Sequence, residues 1–149
     1  MDKQVTAFYD KATAFCAFMA GNTNITEKHI ERIIVMLMEL YSAALDLPDM
    51  EPESTKPIPN EEKPERIPFN LCFQSDYWEV FDPLLEDEPV CSNLADDLAD
   101  ISKDLELGIS EYDSGKIGNA VFEWKLGLNS HWGQHLVDAL RALHAIRTG

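Results

Sequence analysis

Apolar residues recur at spacings of three and four along most of this 149-residue chain, and no sustained alternation of apolar and polar residues stands out. That periodicity puts apolar side chains on one stripe of an α-helix, so the chain is committed to burying helical stripes against one another. The first stripe, Val5, Phe8, Ala12, Phe15, Cys16 and Met19, lies between Gln4 and Ala20. A second carries Ile30, Ile33, Ile34, Leu37, Met38, Tyr41, Ala44 and Leu45. Between them Gly21-Asn22 tolerates a left-handed helix end, Thr26 is a good N-cap, and Glu27 suits the first turn. Residues 1–46 are therefore expected to form an antiparallel helical hairpin.

The pattern stops over residues 47–68, where Pro48, Pro52, Pro57, Pro59, Pro64 and Pro68 remove amide donors and bias their predecessors away from helix. This stretch reads as a solvated crossover strap anchored by Ile58 and Ile67, a passive connection in preference to a binding loop. Phe69, Phe73, Tyr77, Trp78 and Phe81 follow. With Ser75 or Asp76 as cap and Pro83 as stop they suggest a short aromatic helix plugging the core, not a cage for a cationic ligand. Pro89 suits the first turn of a helix running to Tyr112, with Val90, Leu94, Leu98, Ile101, Leu105, Ile109 and Tyr112 on one face. A final helix is expected from Ile117 to Arg147, loosened at Gly127 or Gly133. Its main stripe is Val121, Trp124, Leu128, Trp132, Leu136, Ala139, Leu143 and Ile146, and a second arc of Leu126, Val137 and Leu140 would make it the most enclosed helix. Gly108, Gly115 and Gly118 fit no phosphate-binding spacing and read as helix-end or turn glycines. The expected fold is all-α, a single domain over residues 1–149. It is a bundle of four main helices plus the short aromatic helix and the long proline-rich crossover.

The net charge of −15 is unevenly distributed. Residues 75–113 hold thirteen acids and one base, Lys103, whereas residues 114–149 hold two acids and four bases. An acidic chain repels phosphate backbones and anionic lipid, which argues against nucleic-acid and membrane partners. No run approaches the ~20 apolar residues that span a bilayer, and Met1-Asp2-Lys3 does not open a secretory leader, so a cytoplasmic location is expected. The odd count of cysteines, Cys16, Cys72 and Cys91, contains no close pair and argues against a disulfide framework or zinc knuckle. Cys16 and Cys91 read as buried thiols on helical faces.

Chemistry concentrates in two stretches. Asp97, Asp100, Asp104 and Glu111 form a ridge along one flank of the acidic helix, while His131 and His135, four residues apart, project from one side of the last. His135 falls inside an apolar stripe, where an unsatisfied polar group costs about 1–3 kcal/mol. If the two helices pack side by side, the aspartates either share a divalent ion with the histidines or accept hydrogen bonds from imidazole, from Trp124 or Trp132, or from Arg141. The hydrogen-bonded network is the preferred expectation, because the His pair lacks the Glu of an HExxH motif. No cofactor is expected, a divalent metal being the alternative. Ser130 beside His131 is only a sequence neighbour, Cys72 has no base, and paired acids on a helix flank form a solvated face more often than an acid/base couple.

The stretches DDLADI (Asp96 to Ile101), HWGQH (His131 to His135) and ALRALH (Ala139 to His144) resemble an uncharacterised bacterial family of about this length, the domain of unknown function DUF5063. The resemblance covers essentially the whole chain. It implies interest in Asp97, Asp100, Asp104, Trp124, His131, Trp132, Gly133 and His135, and it supplies no reaction. Phe122 stands two residues before Trp124 where tryptophan-richer members differ. The leading functional expectation is a small interaction module that binds a protein partner through its acidic central surface, which would draw a basic partner, or through the aromatic region next to the strap, or which self-associates. A metal-dependent enzyme or metal-binding protein is the alternative.

Overall fold

The computed structural model describes residues 2–54 and 67–149. Five helices account for most of them: α1 (Lys3–Gly21), α2 (Ile30–Leu45), α3 (Leu94–Asp113), α4 (Ile117–Ser130) and α5 (Trp132–Thr148). α1 packs on α2 and α3, α3 lies against both α4 and α5, and α2 closes onto α5. The buried side chains form one cluster drawn from all five helices. The all-α expectation is met, with one helix more than expected at the C-terminal end. None of the described helices is long and apolar enough to cross a membrane.

Local chemistry explains the boundaries. Asp2 caps α1 by accepting the Gln4 amide at 2.8 Å. At the other end Asn22 keeps an extended backbone, φ −122°, so the anticipated left-handed end is absent; its side chain donates to the Phe18 carbonyl instead. Thr26 does open the next element. A 3₁₀ turn, Glu27–His29, precedes α2, and His29 Nδ1 accepts the Thr26 amide at 3.0 Å. In α2 the buried set is Ile30, Ile33, Met36, Leu37, Leu40 and Ala44, leaving Met38 and Leu45 exposed.

Two short ribbons replace the aromatic helix. β1 (Asn24–Ile25) pairs in parallel with β2 (Asn70–Leu71), and β3 (Asp76–Glu79) pairs antiparallel with β4 (Val90–Asn93), with Tyr77 opposite Ser92 and Trp78 opposite Cys91. The four-residue spacing of Phe69, Phe73, Tyr77 and Phe81 imitates a helix. Burial across β3 instead alternates, with Tyr77 and Glu79 turned inward and Asp76 and Trp78 outward. Phe69 is buried and Phe73 and Tyr77 pack on the core, whereas Trp78 and Phe81 do not. Pro89 consequently precedes a strand, α3 starts at Leu94 under an Asn93 cap, and Cys91 is exposed on β4; Cys16 alone of the two expected buried thiols is buried.

The start of the crossover is docked, not merely solvated. Leu47 is buried, and the Glu53 carboxylate accepts the Gly118 and Asn119 amides at 2.7 Å each, capping α4. Ile67 packs on the core. The anchor expected at Ile58, with Pro57, Pro59 and Pro64, lies outside the described residues. Gly115, φ +84°, makes the left-handed turn between α3 and α4. Gly108 sits inside α3, where a Cβ would stand 2.1 Å from Trp124 Nε1, so it ends no helix, whereas Gly118 stands in the first turn of α4.

Candidate metal centre

The expected single C-terminal helix is broken between the two suspected glycines, at Ser130 and His131, where the backbone turns to φ −150°, ψ −82°. Gly127 and Gly133 permit the break. A Cβ at Gly127 would meet Trp132 Cδ1 at 2.5 Å, and one at Gly133 would meet the Leu128 carbonyl oxygen at 1.9 Å. Trp132, driven into the core, donates through Nε1 to the Trp124 carbonyl at 3.0 Å, while Trp124 donates to the Leu105 carbonyl at 3.2 Å. Both indoles pack against Phe8. They brace the junction against α3 and satisfy backbone acceptors; neither reaches the aspartates. Of the second arc, Leu126 and Val137 are exposed and only Leu140 packs on the core, so these helices are less enclosed than expected.

The junction delivers His131 and His135 to the flank of α3. His131 Nδ1 lies 2.5 Å from Asp104 Oδ2, and His135 Nδ1 lies 2.8 Å from Asp97 Oδ1. An ionised carboxylate only accepts, so each Nδ1 carries a hydrogen. Both Nε2 atoms then face each other at 3.3 Å, and His135 Nε2 is 3.4 Å from Asp100 Oδ2. Single donor atoms from Asp100, His131 and His135 all fall within 4.8 Å of one another. Ligands about 2.0–2.1 Å from a tetrahedral ion stand about 3.3–3.4 Å apart, so two of the three edges already have the required length. Asp97 and Asp104 occupy the outer positions from which carboxylates orient metal-binding imidazoles.

Asp97 is 5% exposed. Its second oxygen accepts a short hydrogen bond from Tyr77 Oη. Burial, reinforced by that bond, pushes the Tyr77 hydroxyl far above its ordinary range, which keeps it a donor. The bond to Asp97 raises the His135 imidazole against burial, which lowers it, with the Asp97, Asp100 and Asp104 charges adding to the rise. Without an ion, one extra proton can join the two Nε2 atoms; with an ion, both lone pairs are available to it.

The cluster opens into a cleft of about 690 Å³ bounded by α3, the β3–β4 ribbon and the α4–α5 junction. Glu79 and Asp138 meet on its wall. Burial drives Asp138 up to about 7, and its hydrogen bond to Glu79 adds to the rise. Burial also pushes Glu79 up, but hydrogen bonds from Asp138 and Ser92 help to overcome it and hold Glu79 below the ordinary carboxylate range. Below about pH 7 the pair therefore holds one proton, on Asp138.

The structure thus brings together Asp97, Asp100, Asp104, His131 and His135. It excludes Arg141, which is exposed on α5 and has no bond to the ridge, because Asp97 and Asp104 are already taken by imidazole and phenol. Glu111 is also elsewhere, accepting from the buried Asn119 at 3.1 Å. Tyr77, Glu79 and Asp138 were not anticipated as members. The available signals were the in-out alternation of β3 and the position of Asp138 three residues beyond His135.

No curated protein matches the sequence. Among solved structures the chain is similar to protein BF1032 from Bacteroides fragilis, 23% identical, with a TM-score of 0.76 over 100% of this chain and 98% of that one. That likeness concerns the fold. The family model for the domain of unknown function DUF5063 matches residues 1–148, and the chain belongs to that family.

Proposed function

We propose that this protein binds a divalent transition metal, of the zinc, iron or manganese class, through His131 Nε2, His135 Nε2 and an Asp100 carboxylate oxygen. The observation that carries this reading is the approach of the two Nε2 atoms to 3.3 Å while each Nδ1 is held by its own carboxylate. A network without an ion is satisfied at the Nδ1 atoms and bridges the two Nε2 atoms only by taking up a further proton, whereas one ion uses both lone pairs at once. Two imidazoles and one carboxylate suit zinc, and equally the two-histidine, one-carboxylate sites of iron. Three protein ligands leave a position open, and here that position faces the cleft with the proton-sharing Glu79 and Asp138 on its wall. Binding displaces a proton, so affinity falls in acid.

Metal analysis of protein purified without chelator or affinity tag tests the reading. The expected result is about one ion per chain, lost in the folded His131→Ala, His135→Ala double variant. Metal-free protein that also fails to take up an equivalent of added zinc contradicts it.

We also infer a cytoplasmic location, supported by Cys16, Cys72 and Cys91 being free thiols, as a reducing compartment keeps them. Fractionation of cells expressing the chain checks this; recovery outside the cytoplasm overturns it.

A further inference from the structure

The tip of the β3–β4 ribbon presents apolar side chains that the core does not use. Trp78 is 73% exposed, Phe81 75%, Leu84 91% and Leu85 66%, all within eight consecutive residues. Exposed large apolar residues clustered in this way mark interaction sites more often than ordinary surface, and tryptophan is the residue most enriched among energetic anchors of interfaces. The charge on the ribbon has one sign. Residues 76–90 contain six acids, Asp76, Glu79, Asp82, Glu86, Asp87 and Glu88, and no lysine or arginine. Glu86, Asp87 and Glu88 are exposed beside the apolar residues. Such a rim repels anionic lipid and nucleic acid and attracts cations.

We propose that this tip, with Trp78, Phe81, Leu84 and Leu85 as anchors and Glu86, Asp87 and Glu88 as rim, docks a basic amphipathic segment of another protein. An apolar stripe on that segment covers the anchors while flanking lysines or arginines meet the rim. The acids speed encounter and select for basic partners, and the anchors set the dissociation rate. Phe81 also lines the cleft beside the His/Asp cluster, but none of the four anchors is a ligand candidate, so chelator is expected to leave docking unchanged.

The test uses three labelled synthetic helices: a leucine/lysine amphipathic peptide, a leucine/glutamate analogue and a serine/lysine analogue. Their binding to the full chain is followed by fluorescence anisotropy, with added salt as a further variable. The leucine/lysine peptide is expected to bind best, to weaken with salt, and to lose at least about tenfold in affinity against a Trp78→Ser, Leu84→Ser variant. That change amounts to about 1.4 kcal/mol. Both positions are exposed, so circular dichroism should find the variant's helical fold unchanged. Equal binding by variant and parent, equal binding of the serine/lysine peptide, or no binding of the leucine/lysine peptide overturns the proposal. Two competing occupants are read in parallel. A Trp78-dependent blue shift on phosphatidylcholine vesicles would assign the tip to a membrane, and a concentration-dependent dimer abolished by the same substitutions would assign it to a second copy; either result overturns the proposal.

Discussion

Replacing Asp97 with asparagine separates the metal-centre reading from a merely structural network. Asp97 is almost fully buried and accepts two hydrogen bonds, from Tyr77 Oη and from His135 Nδ1 at 2.8 Å. Asparagine keeps the shape but offers one acceptor and one NH₂ group, so one of the two bonds is lost or reversed. Losing a charge-assisted bond costs about 1.5–3 kcal/mol, expected as the drop in stability of chelator-treated Asp97→Asn in urea unfolding. The second effect concerns the imidazole. Without the carboxylate charge the hydrogen is held on Nδ1 less firmly, and the tautomer that carries it on Nε2 cannot ligate through that atom. Outer-shell losses of this kind weaken metal affinity by about 10–100-fold, or about 1.4–2.7 kcal/mol. Competition against a chromophoric zinc chelator measures it. Asp104→Asn should act through His131 in the same direction. Loss of stability with no change in zinc affinity would refute the orienting role of Asp97 and reduce the cluster to a hydrogen-bond network.

Other expectations follow from neighbouring contacts. The folded pKa of Asp138, about 7, lies above its ordinary 3.8, so the folded state holds a proton that the unfolded state lacks between those values. Its contribution to stability is therefore present at low pH and is lost as pH rises through about 7. Asp138→Asn should flatten this part of the melting-temperature profile between about pH 4 and pH 7, and parallel profiles for variant and parent would refute the shared proton. Gly108→Ala places a Cβ 2.1 Å from Trp124 Nε1 and should cost about 1–3 kcal/mol or more in urea unfolding, with altered tryptophan emission. Glu53→Ala removes the acceptor of the Gly118 and Asn119 amides and should cost about 0.5–2 kcal/mol, measured in the same way. A neutral result would mean that the Glu53 carboxylate does not cap α4.

Much of this architecture was legible because helical burial writes itself at a fixed period. The six apolar positions expected in α1 are its six buried residues. Asp97, Asp100 and Asp104 read as one flank of α3 because helical geometry alone sets their relative directions. The failures share a cause. The aromatic segment carries a four-residue spacing by coincidence, while its actual state depends on pairing with residues 90–93, a tertiary contact that no local window contains. The break at His131 has a similar origin: Gly127 and Gly133 signal weakness, but the position is decided by Trp132 seeking the core and the Trp124 carbonyl. Tyr77 and Glu79 were hidden with the ribbon, and Arg141 was assigned to acids that closer groups had already occupied.

X-ray absorption spectroscopy of the protein loaded with one equivalent of zinc tests the central claim most directly. The account predicts two imidazole nitrogens and one carboxylate oxygen in a first shell at about 2.0–2.2 Å, with one imidazole contribution disappearing in His131→Ala and another in His135→Ala. A shell of water oxygens alone, sulfur ligation, or a spectrum unaffected by either substitution would contradict it.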